Sequence, residues 1–387
     1  MAIDPERRAS LVAAMQASQL QALASISPPE VLLLTGYWPV MGASLAIVTR
    51  DGEALAVVPE DEADLALATS DANVTTYRPH DLERLTKSSE ALLEPLQQLA
   101  AHLQIATGQI GTDSAESVQA ASYQSSSHFR GSLAAMLQLA FPGASVVSAD
   151  TVLTSLMSTK TATELDQMRR ASQLTAAAFK EAEQAIRAGR REDEVAADIQ
   201  SAFSRTANDG FERGSGYFFC MSGPNAAKAA AAYARTRKRV LEEGDWVMIH
   251  ANTVGDGFWT DITRTFIAGN PSDQQKKMRE AIDEARTAAL NAIAPQAHAH
   301  AVDQAARDVL KKHGFGAEFK HATGHGVGFA ATNPDALPRI HPRSPDVLAA
   351  GMTFNIEPAI YIDGIGGIRH CDVVACTESG AEVLTDF

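Results

Sequence analysis

The stretch that most constrains the fold runs from Asp245 to Phe266 and reads DWVMIHANTVGDGFWTDITRTF. Two apolar, β-branched segments flank a Gly-Asp turn signal, which predicts a β-hairpin. With Gly255-Asp256 as the two-residue turn, His250 lies directly opposite Asp261 on one face of the hairpin. The pair is either a cross-strand contact that satisfies itself or part of a site.

A second hairpin is predicted near the C-terminus, in GMTFNIEPAIYIDGIGGIRHCDVVACT. A three-residue loop at 363–365 joins Ile362 to Gly366 and places Glu357 across from Cys371. A glutamate inside an apolar strand is costly to bury unless it is paired or bound to a metal.

Two histidines lie between these hairpins in the Gly-rich segment HATGHGVGF, His321 and His325. A histidine in such a loop is more often hydrogen-bonded structure than a ligand. Both hairpins nevertheless carry polar pairs, and clusters of these residue types favour a divalent transition metal. The predicted metal-binding cluster is His250, Asp261, His325, Glu357 and Cys371.

Composition narrows the class of protein. The net charge of −14 argues against a nucleic acid or an anionic membrane as partner. The three cysteines form no CxxC pair, which fits a reducing compartment. The first residues lack the apolar core of a signal peptide, and no apolar run has the length of a membrane span. We therefore expect a cytoplasmic protein.

The order of predicted elements indicates two domains, 1–154 and 155–387. The first is an α/β domain: a helix runs from Pro5 to about Leu23, a hairpin turns at Asp51-Gly52, and further strands and helices follow. The predicted strands are NVTTYRP and ASVVSAD, and the predicted helices cover 82–103 and 126–139. A long amphipathic helix from about Thr161 to Gly189 opens the second domain.

A weak internal repeat organises the second domain. EVAADIQSAFSRTANDGFERGSGYFFC and AVDQAARDVLKKHGFGAEFKHATGHGVG both predict a helix, a glycine turn and a strand. The pattern suggests an α+β domain in which a duplicated helix–strand unit places two antiparallel sheets face to face.

Four sequence blocks resemble a known superfamily: WTDITRTF, HATGHGVG, MTFNIEPAIY and GIRHCD. They are similar to the signature blocks of the pita-bread superfamily of creatinase, aminopeptidase P, prolidase and methionine aminopeptidase. The resemblance covers the chain from Lys160 onward, and the N-terminal domain resembles that of creatinase and prolidase. It implies a hydrolase of a C–N bond, similar to Xaa-Pro peptidases, that acts on a small peptide or amide as a homodimer.

The chain departs from the peptidases of this superfamily at the metal ligands. Those enzymes hold two ions with Asp, Asp, His, Glu and Glu, whereas the first and last of these positions are here His250 and Cys371. A substrate-side histidine is missing from AAAAYARTRKR, which offers only Tyr233, and a further histidine is replaced by Thr332. His321 matches a histidine beside the scissile bond, and Arg369 matches an arginine near the second glutamate.

Charge balance then favours one divalent ion (Zn, Mn or Co) or none, because only two carboxylates and one thiol remain. The ion would be held by Asp261, His325, Glu357 and Cys371, with His250 as a further ligand or as a base. The resemblance implies that His250 or Glu357 transfers protons, that His321 stabilises the oxyanion, and that Arg369 lies nearby.

Two alternatives stay open. One is a metal-independent amidinohydrolase or amide hydrolase of the creatinase type, and the other is a non-enzymatic peptide-binding module. His341, in the loop TNPDALPRIHPRSPD, is expected on the surface.

Overall fold

The computed structural model describes residues 4–40, 43–78, 88–103, 105–114, 130–230, 235–331 and 336–387. The chain divides into two compact units, Met1–Met157 and Ser158–Phe387. The predicted division between residues 154 and 155 falls inside a helix, Asp150–Ser158.

The first unit is built on a six-stranded mixed sheet with strand order β4-β3-β2-β1-β5-β6. Its strands are β1 Leu20–Ser25, β2 Leu45–Thr49, β3 Ala54–Pro59, β4 Asn73–Tyr77, β5 Gly108–Thr112 and β6 Ala144–Ser148. Its helices are α1 Pro5–Ala17, α2 Pro28–Thr35, α3 Ala63–Thr69, α4 Ser88–Leu103, α5 Arg130–Ala140 and α6 Asp150–Ser158.

The sequence predicts most of these elements. The hairpin of β2 and β3 and the strands β4 and β6 are confirmed. The first helix is wrong at its end, because α1 stops at Ala17 and the apolar run Leu20–Ser25 forms a central strand between β2 and β5. Buried strands flanked on both sides read as continuous apolar runs, which cannot be told from helix by periodicity. Residues 82–87 and 126–129 of the two predicted helices lie outside the described residues.

The second unit contains two helix pairs and three small sheets, ordered β7-β8-β9, β10-β13-β14 and β11-β12. The helices are α7 Ala162–Ala185, α8 Glu192–Gly210, α9 Asp273–Asn291 and α10 Ala299–Lys312. The strands are β7 Gly214–Ser222, β8 Trp246–Gly255, β9 Phe258–Ile267, β10 Thr353–Ile356, β11 Ala359–Ile362, β12 Gly366–Arg369, β13 Asp372–Thr377 and β14 Gly380–Val383.

Helix α7 begins where the sequence predicts, because the Thr161 side chain accepts from the Glu164 backbone in a capping box. It ends at Ala185, four residues before the predicted Gly189. Trp246 and Met248 of β8 pack into the main core of this unit with residues of α9 and α10. Because side chains alternate along a strand, His250 projects from the same face. Within the described residues, every helix is too short or too polar to cross a bilayer.

The first hairpin forms, but its predicted register is wrong by two residues. Gly255 pairs with Phe258, so the turn is Asp256-Gly257. Both turn residues have positive φ, 48° and 91°, as a type I′ turn requires, and Asp-Gly meets that requirement better than Gly-Asp. His250 therefore pairs with Thr263.

The second hairpin has the predicted register. Ile362 pairs with Gly366 across the three-residue loop, and the same register continues in β10 and β13, where Ile356 pairs with Asp372. Glu357 and Cys371 lie in the gap between these two ladders. The Glu357 amide donates to the Thr323 carbonyl, and Cys371 forms a β-bridge with Thr263 of the first hairpin.

Candidate active site

His250 stands at the centre of one half of the cluster. Its Nδ1 lies 3.0 Å from Thr263 Oγ1 and 3.6 Å from Asp261 Oδ1, and its ring stacks on Phe219. Asp261 reaches His250 diagonally, because the register shift of two residues leaves both side chains on the same face of the hairpin. The nearby carboxylate favours a proton on Nδ1, which leaves the lone pair on Nε2.

Burial sets the protonation of this pair. It lowers the pKa of His250 to about 4, and the opposing pull of Asp261 is weaker. For Asp261, burial alone would raise the pKa, but the neighbouring His250 and His325 lower it to about 2. At neutral pH the pair is a neutral imidazole beside a carboxylate. This is the protonation state that a histidine base requires.

His325 faces Asp261 from the Gly-rich loop, with Nε2 3.6 Å from Asp261 Oδ2. Burial alone would lower the pKa of His325, but Asp261 outweighs burial and raises the pKa to about 9. The Asn355 amide nitrogen lies closer to Nε2, at 3.2 Å, and needs an unprotonated ring. The ring is either protonated and faces Asp261 with its Nε2 proton, or unprotonated and accepts from Asn355 at Nε2. Neither state leaves a free lone pair on Nε2 for a metal ion.

Asn355, on β10, is fully buried and has a fixed orientation. Its Oδ1 accepts from the His325 backbone amide at 2.7 Å, so the amide group cannot be turned round. Its Nδ2 therefore points to His325 Nε2 and to Cys371 Sγ, which is 3.6 Å away. Asn355 thus directs a hydrogen-bond donor into the cluster.

Cys371 is present as a thiol. Its Sγ lies 3.2 Å from the backbone carbonyl oxygen of Asp261, a contact that requires an S–H donor. Burial raises its pKa well above the usual value of 9.0, and the charges of Asp261 and Glu357 add to this effect. The side chain therefore offers no thiolate in this arrangement.

A second group of side chains adjoins the first through Arg369. Its Nε donates to Thr263 Oγ1 at 3.0 Å, and its Nη1 lies 3.4 Å from the Tyr361 hydroxyl and 3.8 Å from Glu357 Oε2. His321 Nε2 lies 3.0 Å from the same hydroxyl. These contacts join both halves of the cluster.

The tautomer of His321 follows from its other nitrogen. Nδ1 donates to the Ala322 carbonyl at 2.7 Å, so Nε2 accepts from the Tyr361 hydroxyl. Burial lowers the pKa of His321 and keeps it neutral, and burial raises the pKa of Tyr361 to about 12. In this arrangement the Tyr361 oxygen accepts from Arg369 while its proton is held by His321.

Helix α10 fixes the loop that carries both histidines. The buried carboxylate of Asp303 accepts from the Thr323 amide and hydroxyl at 2.9 and 2.8 Å. Arg307, one turn later, donates to the His321 carbonyl at 2.9 Å. Gly324 packs against the Asn355 backbone, where a Cβ would lie 1.9 Å from the carbonyl oxygen. This close approach explains the glycine at position 324.

The donor chemistry does not fit the divalent ion that the sequence predicts. The two atoms that a metal would bind are already engaged by protein groups, because the Cys371 sulfur donates to the Asp261 carbonyl oxygen and His325 Nε2 faces the Asn355 amide nitrogen. Among the described residues, no three or more His, Cys, Asp or Glu side chains are grouped so that they could hold a metal ion. The arrangement satisfies itself by hydrogen bonds.

The seven predicted site residues are brought together by contacts between the two hairpins and the Gly-rich loop. They are His250, Asp261, His321, His325, Glu357, Arg369 and Cys371. His341 is exposed, as expected, and its Nδ1 accepts from the Arg343 amide. Tyr233 and Thr332 lie outside the described residues.

The sequence does not identify Thr263, Asn355 or Tyr361 as members of the cluster. A simple signal could have found two of them. Thr263 follows Asp261 by two residues and Asn355 precedes Glu357 by two, so the alternation of a strand places each pair on one face. No comparable signal identifies Tyr361.

Two protein families match the two units. Residues 7–156 match the creatinase/prolidase N-terminal domain, and residues 166–378, more than half of the chain, match metallopeptidase family M24. The chain is 29% identical over 381 residues to an Xaa-Pro dipeptidase of Pyrococcus furiosus, which covers 98% of this chain and 97% of the relative. It is 32% identical over 246 residues to an Xaa-Pro dipeptidase of Lactobacillus helveticus, covering 63% of this chain and 65% of the relative.

A solved structure has the same fold along nearly the whole chain. The prolidase from Pyrococcus furiosus superposes with a TM-score of 0.76 at 28% identity, covering 97% of this chain and 99% of that one. The predicted fold class is thereby confirmed: an α/β N-terminal domain followed by an α+β pita-bread domain.

Proposed function

The chain belongs to metallopeptidase family M24 and is a hydrolase similar to Xaa-Pro peptidases, and we propose that it cleaves the C–N bond of a small Xaa-Pro peptide through an altered site. The observation that carries this proposal is the contact network from His250 through Thr263 and Arg369 to Tyr361 and His321. It joins a neutral base to several hydrogen-bond donors.

His250 is the proposed base. With its proton on Nδ1, its Nε2 can take a proton from water as the water oxygen attacks the carbonyl carbon. The imidazolium that forms is stabilised by the Asp261 carboxylate, 3.6 Å from Nδ1, and is oriented by Thr263. The same proton then passes to the leaving nitrogen as the C–N bond breaks, which returns His250 to its neutral form.

The second half of the cluster is proposed to hold the carbonyl oxygen. Arg369 remains cationic beside Glu357, because nearby acidic groups and Tyr361 outweigh burial and raise its pKa. Its guanidinium is the donor best placed for a developing oxyanion. His321, for which the sequence predicts this role, accepts the Tyr361 proton and positions that hydroxyl.

Membership of a metallopeptidase family implies a divalent metal cofactor, which would polarise the carbonyl and lower the pKa of a water. The donor set described above does not fit such an ion. The proposed mechanism therefore uses only the chain's own residues.

The choice of substrate rests on the relatives, which are Xaa-Pro dipeptidases. The other candidate is a small amide of the creatinase type, which the same neutral base favours. Wild-type protein, His250→Gln and the surface control His341→Gln should be assayed on a panel of Xaa-Pro dipeptides and small amides. We expect turnover by wild type and the control and a loss of at least about 100-fold in His250→Gln. A panel without turnover, or a fully active His250→Gln, would refute the proposal.

A further inference from the structure

We infer that this centre works without a divalent ion, because Asn355 and Cys371 satisfy from within the protein the atoms that an ion would otherwise bind. The inference concerns the site of the proposed function and rests on that assignment. Its test measures ion binding and does not depend on finding the substrate.

Asn355 carries the first part of the argument. Its amide is held in one orientation, because Oδ1 accepts from the His325 backbone N–H at 2.7 Å. The Nδ2 group must then face His325 Nε2 at 3.2 Å and Cys371 Sγ at 3.6 Å. An amide nitrogen has two donors and no lone pair for a metal, so it occupies the approach to both ligand atoms.

Cys371 and Asp261 carry the second part. The sulfur donates to the Asp261 carbonyl oxygen at 3.2 Å and is fully buried. The Asp261 carboxylate faces His250 Nδ1 through Oδ1 and His325 Nε2 through Oδ2, both at 3.6 Å. Each oxygen of the buried carboxylate therefore has a protein nitrogen as its neighbour.

Protein groups also face the two buried carboxylates. Glu357 faces Arg369 across 3.8 Å, and Asp261 lies between two histidines. A buried carboxylate needs a cation or hydrogen-bond donors, and both carboxylates have them in the protein. Each carboxylate therefore has a protein nitrogen facing it and does not depend on an ion for a partner.

The decisive variant is Asn355→Asp. It keeps the size of the side chain but turns the donor group into a carboxylate oxygen aimed at His325 Nε2 and the sulfur. Asn291→Asp is the matched control. Asn291 is exposed at the end of α9, so this substitution adds the same charge outside the cluster. Titration calorimetry with MnCl₂ and CoCl₂ is the readout, with circular dichroism to check folding.

We expect no heat of binding up to about 1 mM ion for wild type and Asn291→Asp. Asn355→Asp should bind at least about tenfold more tightly than this limit of about 1 mM, a difference of about 1.4 kcal/mol. At saturating manganese the Tm of Asn355→Asp should rise by about 5 °C, and that of wild type should not change. If Asn355→Asp does not fold, Asn355→Ser withdraws the longer amide donor from His325 and Cys371 and should bind cobalt in its place.

Two results would overturn the inference. The first is micromolar binding of manganese or cobalt by wild type, or about one ion per chain in protein purified from metal-supplemented culture. The second is a folded Asn355→Asp or Asn355→Ser that binds no ion, since Asn355 would then not be the group that closes the site. A panel of amides that yields no turnover would count against the proposed function and leave these binding results standing.

Discussion

The neutral imidazole of His250 makes the stability of the protein depend on pH in a calculable way. Only 17% of its side chain is exposed, and burial lowers its pKa from 6.5 to about 4 despite Asp261. The unfolded chain therefore binds a proton here at a higher pH than the folded chain does, so acid favours unfolding. The contribution is fully present above about pH 6.5 and is lost as the pH falls towards 4.

The magnitude follows from the same two values. The whole shift corresponds to roughly 3 kcal/mol, and about 2 kcal/mol of it is lost between pH 7.5 and pH 5. His250→Gln cannot titrate but keeps a polar side chain next to Thr263. Between pH 7.5 and pH 5, we expect the free energy of unfolding of wild type to fall by about 2 kcal/mol more than that of His250→Gln.

Urea denaturation at the two pH values measures this difference. The fluorescence of Trp246 and Trp259 reports on the unit that contains His250, since both lie on the first hairpin. His341→Gln is the matched control, because it removes an exposed histidine and should follow wild type. An equal loss of stability in wild type and His250→Gln, within about 0.5 kcal/mol, would show that His250 is not held neutral by burial.

Three further outcomes are expected. Alanine at Asp261, His325 or Glu357 should abolish turnover in protein that circular dichroism shows to be folded but less stable, because each change leaves a buried partner unpaired; retained turnover in any of them would contradict the site assignment. The double variant His250→Asp with Cys371→Glu should bind manganese or cobalt in calorimetry at least about tenfold more tightly than either single variant, since only the pair restores four carboxylates; equal affinities or a silent titration would contradict this. The protein should be a homodimer, and light scattering that gives the monomer mass at micromolar concentration would contradict that.

The two hairpins show what a sequence can specify about a site. The second was predicted correctly, because its three-residue loop allowed one closure between Ile362 and Gly366. The first was predicted two residues out, because Gly-Asp and Asp-Gly overlap in the letters GDG and only backbone φ distinguishes them. His250 and Asp261 nevertheless lie on the same face of the hairpin, because a shift of two residues preserves the face on which a side chain lies. A shift of one residue would have turned Asp261 away from His250.

The contacts between the hairpins could not be predicted in the same way. The bridge between Thr263 and Cys371 joins strands more than a hundred residues apart, and local turn rules say nothing about such pairs. Asn355 was overlooked for a related reason. Its importance depends on the direction of its amide, which is set by the backbone of His325 in a distant loop.

The changes at His250 and Cys371 have a single physical consequence when they are taken together. Four carboxylates in one buried cluster repel each other and require cations, whereas a neutral imidazole and a neutral thiol leave only Asp261 and Glu357 charged. Protein groups then suffice: Arg369 faces Glu357, and the two histidines flank Asp261. With only one of these two changes, the cluster would contain three carboxylates, one more than these groups can balance. The pair of changes therefore lowers the buried negative charge, and the donor amide of Asn355 engages His325 Nε2 and Cys371 Sγ.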